Sequence, residues 1–347
     1  MSSFKPKYLA QLTLHPSIGW SLAQIAEARG LQEVWRRTKP EVTARLRESA
    51  LIQSAESSNR IEGVEVERKR LAPLVLGSAR PKDRSEEEIV GYRKALQWIH
   101  SSHSKIEVSP DSIQKLHLFA QGGLVGDAGQ RKSRDNEIIE FSQAGERMVR
   151  FKCTPARETA KAIARLCQAY QDAQENRALP DLLLVANLTL DFLCIHPFRD
   201  GNGRVSRLLT LLCLYQWGYE VGRYISLERV IESTKEDYYR TLGQSSMGWH
   251  SSSHELLPWW SYFLGHIKTA YQELKDRVEI ASEDSKTSLV KGLVSEVSGD
   301  FSISDILKLQ PSLDREIVKK TLGKLRKEGS IVLIGKGRGA KWRLRKK

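Results

Sequence analysis

The most restrictive feature of this sequence is the segment from Leu182 to Ile195, which is apolar on nearly every side when wound as a helix. A helix without a polar face must lie in the middle of a bundle, where other helices cover it. A second strongly apolar helical run, Val205 to Trp217, follows after a short loop. The sequence therefore predicts a mainly α-helical protein organised around two buried helices.

Other segments repeat apolar residues at the spacing of amphipathic helices. These segments are Ile18–Ala28, Val42–Ala55, Glu86–His100, Ser109–Ala120 and Arg157–Gln174. Strand signals are few: Glu137–Phe141 and Met148–Lys152 are β-prone, and Gln143–Glu146 between them favours a turn. We expect a small β-hairpin there, placed as a mobile flap on the helical core.

The composition limits the class of protein. The 347 residues include 40% hydrophobic and 28% charged residues, close to the average for soluble globular proteins. Charged residues interrupt the apolar runs before they reach the roughly 18 residues of a membrane span, and the N-terminus lacks the apolar stretch of a signal peptide. We therefore expect a cytoplasmic protein with no membrane partner. The four cysteines form no CxxC pair, so we expect buried, reduced thiols.

The small, polar residues from Ala281 to Ser288 give the best predicted domain boundary. We predict an N-terminal helical region at residues 1–100, a central core at residues 101–280 and a final domain at residues 285–347. The final domain offers three helices and then two β-prone runs, so it resembles a winged helix-turn-helix. It contains sixteen Lys and Arg against six Asp and Glu, and thus carries +10 of the net charge of +13.

The richest chemistry lies in the loop between the two apolar helices, which reads Ile195-His-Pro-Phe-Arg-Asp-Gly-Asn-Gly-Arg-Val-Ser-Arg207. A loop with two glycines that opens into a helix presents backbone N–H groups and the positive helix end, which together bind anions such as phosphate. Arg204 and Arg207 are three residues apart, so they share one helix face and can grip phosphate oxygens. Asp200 supplies an oxygen ligand that suits magnesium.

This loop matches the signature of the Fic family, HPF(x)(D/E)GNGRxxR, at every specified position, and on that basis the chain resembles Fic proteins. In that family the loop joins two helices of an all-α core. The resemblance implies that His196 removes the proton from a hydroxyl of a target protein and that Asp200 holds Mg²⁺. We interpret Phe198 as an apolar anchor.

The resemblance also implies the contacts to ATP. Asn202, with the backbone of Gly201 and Gly203, is expected to cradle the α- and β-phosphates. Arg204 is expected to contact the phosphates as well, and Arg207 to grip the γ-phosphate. The Doc-like branch of the superfamily, which phosphorylates its targets, has lysine at the position of Gly203. Glycine at this position therefore favours transfer of AMP over transfer of phosphate.

A second motif lies upstream, in the segment Glu56-Ser-Ser-Asn-Arg-Ile-Glu-Gly63. Ser58 and Glu62 are four residues apart and share one helix face, and Gly63 is suited to end that helix. The segment resembles the Fic inhibitory motif, (S/T)xxxE(G/N). This implies that Glu62 pairs with Arg207 and denies that arginine to the γ-phosphate. It places the chain in the class with an N-terminal inhibitory motif.

Weaker similarities to Fic proteins extend over roughly residues 50–270. Tyr238 is a candidate contact for adenine, with packing in the core as the other interpretation. The flap residue Ile138 and its neighbours are candidates for holding the target as an added strand. Three basic residues, Arg131, Lys132 and Arg134, flank this hairpin, and solvated surface charge explains them as well as a functional role does.

The basic final domain has two open interpretations. Its predicted recognition helix, Asp314–Lys327, and the wing residues Lys336 and Arg338 carry enough positive charge for phosphate contacts on DNA. The same surface could instead dock a protein, because winged helices also bind proteins.

The leading hypothesis is a protein adenylyltransferase that moves AMP from magnesium-bound ATP to a Ser, Thr or Tyr hydroxyl of a target protein, or of itself, and releases pyrophosphate. Glu62 would repress it by competing for Arg207. Two alternatives stay open: the same site running backwards to remove AMP from a modified protein, and a DNA-binding regulator whose core senses nucleotide without turnover. The target, the releasing signal and the oligomeric state, including a homodimer, are also open.

Overall fold

The computed structural model describes residues 2–122, 126–141, 147–297, 299–311, 313–335 and 340–345. The chain forms two compact units, Met1–Leu274 and Lys275–Lys347. The first unit is helical. Its helices are α1 (Pro6–Leu9), α2 (Pro16–Thr38), α3 (Pro40–Ile61), α4 (Arg68–Leu76), α5 (Arg84–Ser102), α6 (Pro110–Ala120), α7 (Ala156–Glu175), α8 (Asp181–Ile195), α9 (Asn202–Gln216), α10 (Leu227–Ser233), α11 (Lys235–Ser246) and the first part of α12 (Leu257–Glu296).

Local sequence signals account for the ends of the helices around the loop. Ser109 and Ser112 exchange side chain to backbone hydrogen bonds at the start of α6, and Pro110 fits its first turn. At the end of α3, Gly63 adopts a φ of 81°. The N–H of Val64 then bonds back to the carbonyl of Asn59 at 3.0 Å, which closes the helix end and fixes the position of Glu62.

The two apolar helices lie at the centre of the first unit. Every residue of α8 from Leu182 to Ile195 except Leu193 is buried. α8 packs against α7 and α9, and α9 also packs against α6. The predicted mainly helical fold is therefore confirmed, and the short loop between α8 and α9 is held by the two most deeply buried helices.

The predicted hairpin is present as β1 (Glu137–Phe141) and β2 (Arg147–Lys152), an antiparallel pair. Ile138 lies opposite Phe151, and the register shifts between Ile138 and Ile139. Such a shift bends a strand and changes where its side chains point. The predicted turn at Gln143–Glu146 lies outside the described residues.

The second unit contains the end of α12, then α13 (Ile303–Leu309), α14 (Arg315–Lys327), β3 (Ile331–Ile334) and β4 (Lys341–Leu344). The two strands are antiparallel, and Phe301 bridges to Trp342 beside them. The unit has a hydrophobic core of its own, formed by Val290, Val294, Phe301, Ile306, Leu313, Val318, Leu322, Leu325 and Ile331. The wing residues Lys336 and Arg338 lie outside the described residues.

The domain boundaries differ from those predicted. The predicted linker Ala281–Ser288 continues α12 as a helix, and the division between the units falls at Lys275. That linker contains neither Gly nor Pro, and its residues cost a helix at most about 0.7 kcal/mol each relative to alanine, so polarity alone does not end the helix. Residues 1–100 and 101–280 were predicted as separate regions, whereas residues 1–274 form one compact unit.

Two further predictions concern the cysteines and membrane-spanning helices. All four cysteines, Cys153, Cys167, Cys194 and Cys213, are buried and free. Within the described residues, none of the helices combines the length and the apolar character needed to cross a membrane.

Candidate active site

His196 lies at the end of α8, where the chain turns through a left-handed backbone conformation with a φ of 52°. Its Nδ1 is 3.2 Å from the carbonyl oxygen of Leu193. Because a carbonyl can only accept, Nδ1 carries the proton and Nε2 keeps a lone pair. Burial lowers the pKa of His196 to about 4. The imidazole is therefore neutral and able to accept a proton at Nε2 near pH 7.

Asn202 fixes the shape of the loop that follows. Its amide nitrogen donates to the carbonyl oxygen of Phe198 at 2.8 Å, and its amide oxygen accepts from the N–H of Phe198 at 2.9 Å. Sequence reasoning gave the Asn202 side chain a phosphate contact. The structure instead uses both ends of its amide within the loop, because the tight turn at Gly201, with a φ of 75°, needs its backbone groups satisfied.

Arg204 is also engaged inside the protein, where a phosphate contact was predicted. Only 1% of its side chain is exposed, and its Nη1 pairs with Glu88 Oε2 at 2.7 Å. The same nitrogen bonds to Asn59 Oδ1 at 3.3 Å and to the carbonyl of Ala120 at 3.2 Å. A buried cation needs such partners, so Arg204 joins α9 to α3, α5 and α6 around the loop.

Arg207 contacts the two predicted inhibitory residues, Ser58 near the end of α3 and Glu62 directly after that helix. Its Nε donates to Ser58 Oγ at 2.9 Å, and its Nη2 donates to Glu62 Oε1 at 2.8 Å. Burial disfavours the charged guanidinium, but the Glu62 carboxylate outweighs this and holds the pKa of Arg207 above its usual range. Within the described part of the chain, the buried Nη1 of Arg207 has no hydrogen-bond partner.

Gly203 allows the pair of Glu62 and Arg207 to lie directly against the loop, because it has no side chain. A Cβ atom placed on Gly203 would collide with Glu62 Oε1 and would come within 3.2 Å of Arg207 Nη1. The Glu62 carboxylate therefore lies directly against the glycine backbone at the N-terminal end of α9. This is the position where a helix end binds an anion, so Glu62 occupies an anion site with its own carboxylate.

A pocket opens beside these residues and encloses about 610 Å³, part of it open to solvent. Residues that line it include Glu62, His196, Gly203, Arg207 and the flap residue Ile138. Its remaining walls are largely apolar and aromatic. An apolar pocket with a few convergent polar groups has the composition typical of a ligand-binding site.

Tyr238 contributes to a wall of this pocket, but it is only 3% exposed. Its ring lies 5.9 Å from that of Trp259 and 5.8 Å from that of Tyr262, centroid to centroid. Burial raises its pKa. The structure thus places Tyr238 in the aromatic core at the edge of the pocket, and its contact to adenine stays a prediction.

Asp200 is the residue that could take part in holding a metal ion. Its side chain is 59% exposed, and Oδ1 accepts the N–H of Gly201 at 2.7 Å, which orients the carboxylate at the loop. In the described residues, no cluster of three or more His, Cys, Asp or Glu forms a metal site. A single carboxylate fits Mg²⁺, which commonly takes one or two carboxylates and completes its shell with water and substrate phosphates.

Residues 107–214, which contain α6, the flap, α7, α8, the loop and most of α9, match the model of the Fic/DOC family. This segment is a Fic domain.

Solved structures of Fic proteins share the fold of the chain. A Fic family protein from Desulfovibrio desulfuricans G20 matches with a TM-score of 0.62 at 22% identity, covering 97% of this chain and 98% of that one. A Fic domain containing signaling protein from Bacteroides thetaiotaomicron VPI-5482 matches with a TM-score of 0.62 at 20% identity, covering 75% and 98%. Fic-1 from C. elegans matches with a TM-score of 0.56 at 18% identity, covering 78% and 74%.

One curated protein is also similar in sequence. The ribonucleoside-diphosphate reductase small chain of Ostreid herpesvirus 1 (isolate France) is 26% identical over 153 residues, which are 40% of this chain and 25% of that protein. The chain thus spans about a quarter of the length of this relative.

Three residues around the loop of the Fic domain were not predicted as site residues. Glu88 neutralises Arg204, and His117 stacks on Phe198 with ring centroids 3.8 Å apart. Lys132, which the sequence left open as a solvated charge, is buried, and its Nζ donates to Asn136 Oδ1 at 2.6 Å and to the carbonyl of Ile195 at 3.3 Å. Apart from the local bond between Lys132 and Asn136, these contacts join residues 63 to 116 positions apart, so local spacing in the sequence could not reveal them.

Proposed function

We propose that this chain is a protein adenylyltransferase that moves AMP from ATP to a hydroxyl of a target protein and releases pyrophosphate. The observation that carries the proposal is that the free Nε2 of a neutral His196 belongs to the same pocket as the anion site at Gly203 and Arg207. Fic-domain proteins are typically transferases, which agrees with a base placed beside a phosphate site.

In the proposed reaction, the hydroxyl oxygen of the target attacks the α-phosphorus of ATP. Its proton passes to Nε2 of His196, and the bond from the α-phosphorus to the bridging oxygen breaks, so that pyrophosphate leaves with the electron pair. A positioned general base typically contributes about 10² to 10⁴ in rate. Because burial holds the pKa of His196 near 4, the imidazolium readily returns its proton to solvent and the site is reset.

The phosphates would be held by the backbone at the start of α9 and by Arg207. Gly203 leaves the N–H groups accessible, since a larger residue would fill the space above them. Mg²⁺ at Asp200 would supply charge neutralisation for the phosphates. Arg204, paired with Glu88, would hold the loop in the conformation that binds the phosphates.

Glu62 accounts for repression in this proposal. Its carboxylate is paired with Arg207 at 2.8 Å and lies against Gly203, so it takes the place of an incoming phosphate anion. ATP can enter productively only when that carboxylate moves away. The free, buried cysteines agree with a protein that works in a reducing compartment such as the cytoplasm.

The test is to incubate the Glu62→Gly variant with ATP, Mg²⁺ and a cell lysate, and to measure pyrophosphate release together with protein mass. The proposal predicts pyrophosphate and a protein adduct of AMP, with the neighbouring exposed carboxylate variant Glu65→Gly behaving as the wild type. ADP with a phosphate adduct would make the chain a kinase. Release of AMP from an already modified protein, without transfer, would favour the reverse activity and overturn the proposal.

A further inference from the structure

The second compact unit carries a charged helix that AMP transfer does not use. All six basic residues of α14 are exposed, and they are Arg315, Lys319, Lys320, Lys324, Arg326 and Lys327. We propose that the outer face of α14 binds double-stranded DNA, with its lysines on the phosphates and the helix facing a groove.

α14 has two distinct faces. Val318, Thr321, Leu322 and Leu325 are buried on one side of the helix. At the helical spacing of 100° per residue, Lys320, Gly323, Lys324 and Lys327 project from the opposite side, together with the exposed Glu316. The buried side belongs to the hydrophobic core of the unit, so the lysines are displayed on a fixed helix and not on a loose tail.

Gly323 lies in the middle of this outer face. A Cβ atom placed there would meet nothing within 4 Å, so the surface at that position is open. Lys319 and Lys320 lie one turn before it and Lys327 one turn after it. A helix face with a central gap and flanking cations can approach a DNA groove closely while its lysines reach the backbone phosphates. The major groove, about 12 Å wide, accommodates one α-helix.

The chemistry of this face favours a nucleic acid over a protein partner. Protein interfaces place aromatic and aliphatic anchors at their centre and are depleted in lysine. All thirteen residues of α14 are described, and none of its large apolar side chains is exposed, because Ile317 is half-buried and the others face the core. The acidic residue of the helix, Glu316, lies 3.8 Å from Lys319 in an exposed pair that solvent screens.

A second basic element belongs to the same unit. Lys341 and Arg343 alternate along β4 with Trp342 and Leu344, so the two basic residues share its outer face, and the exposed Arg345 follows directly after the strand. Arg343 is paired with Asp300, with Nη2 and Oδ2 2.8 Å apart. Positive charge is thus present on two elements of one small unit, α14 and β4, as expected for a unit that meets a polyanion.

The experiment is a fluorescence anisotropy titration of a labelled 30-base-pair mixed-sequence duplex with the full chain at several salt concentrations. We expect binding whose log affinity falls linearly with log salt, with a slope of about −0.9 for each phosphate contacted. The variant Lys320→Glu/Lys324→Glu/Lys327→Glu should weaken binding at least tenfold. The milder Lys→Gln triple at the same positions should weaken it in the same direction, with both checked for native circular dichroism.

The matched control reverses three exposed basic residues spaced four apart on α7 of the first unit, as Arg157→Glu/Lys161→Glu/Arg165→Glu. It should bind the duplex as the wild type does. An equal loss in this control would mean diffuse attraction and would overturn the proposal. So would absence of duplex binding at 50 mM salt, or a polyglutamate chain competing as well as unlabelled duplex, which would indicate an acidic protein as the partner.

Discussion

Oε1 of Glu62 lies 2.8 Å from Nη2 of Arg207, and the same carboxylate lies against the Cα of Gly203. One side chain therefore neutralises the arginine and fills the space above the glycine loop. An anion that needs both features cannot bind until this side chain leaves. The effect of a substitution at Gly203 on the stability of the protein should therefore depend on whether Glu62 is present. This dependence can be measured without an activity assay.

The variant Gly203→Ala should be destabilised only while Glu62 is present. Alanine normally favours a helix over glycine by about 1 kcal/mol, but here its Cβ would collide with Oε1 of Glu62. We expect a loss of roughly 1–3 kcal/mol in the free energy of unfolding, measured in urea. In the Glu62→Gly background the same substitution should be neutral or stabilising. Gly30→Ala on α2, where a Cβ meets nothing within 4 Å, is the control. Equal losses in both backgrounds would contradict the collision.

Contacts of the end of α3 with α10 and α11 should determine how strongly the inhibitory segment around Glu62 is held in place. Arg60, two residues before Glu62, donates to the Glu232 carboxylate from Nε and Nη2. Lys235 Nζ on α11 donates to the carbonyl of Ile61 at 2.9 Å. Partly exposed pairs contribute about 0–1 kcal/mol, so Glu232→Arg should raise AMP transfer by up to about fivefold.

The charge swap Arg60→Glu/Glu232→Arg should return AMP transfer towards the wild-type rate, because it restores the pair with reversed polarity. Glu236→Arg, the same charge change at an exposed position on α11, should have no effect. If the swap is as active as Glu232→Arg alone, the pair does not restrain the helix. The measurement is the initial rate of label transfer from ATP.

Much of the site could be predicted from the sequence, because its parts are local. The segment from His196 to Arg207 links two apolar runs, and Ser58 and Glu62 share a helix face by their spacing alone. The structure adds what each helix packs against. The phosphate contact of Arg204 stays a prediction, and the structure adds that Glu88 on α5 pairs with its Nη1, a contact that spans 116 residues of sequence.

The missed domain boundary has a different physical origin. Polar composition identified Ala281–Ser288 as a linker, although these residues tolerate a helix and contain no Gly or Pro to end one. Where the compact units divide depends on which side chains share a core, and this cannot be read from polarity. For Tyr238, likewise, the sequence could not decide between the pocket and the aromatic core, and the side chain borders both.

Removing the charge of Glu88 while Arg204 stays in place should destabilise the protein strongly. Their side chains are 3% and 1% exposed, and Glu88→Gln would leave the arginine charge without its main partner. Such one-sided removal typically costs about 3–5 kcal/mol. We expect a loss of that size in urea unfolding. Glu33→Gln, which breaks pairs on the surface of α2, should leave stability unchanged. A small effect of Glu88→Gln would mean that water reaches Arg204.

The pH profile of AMP transfer should report the buried state of His196. A base is active when the accepting atom is unprotonated, and burial lowers the pKa of His196 to about 4, so Nε2 is almost entirely free of a proton from about pH 5 upwards. The rate of Glu62→Gly, corrected for the folded fraction, should stay level from pH 8 to about pH 5 and fall only below that. An acidic limb centred near pH 6.5 would show an ordinary, solvated histidine instead.

The most direct test of the central claim uses ATP labelled separately at the α- or the γ-phosphate, with Mg²⁺ and the wild type, Glu62→Gly and Glu62→Gly/His196→Ala. Labelled protein is then measured. The account predicts that label from the α-phosphate rises in Glu62→Gly, disappears in the double variant, and is not matched by label from the γ-phosphate. Label from the γ-phosphate alone, or α-label that is equally strong in the wild type and Glu62→Gly, would contradict it.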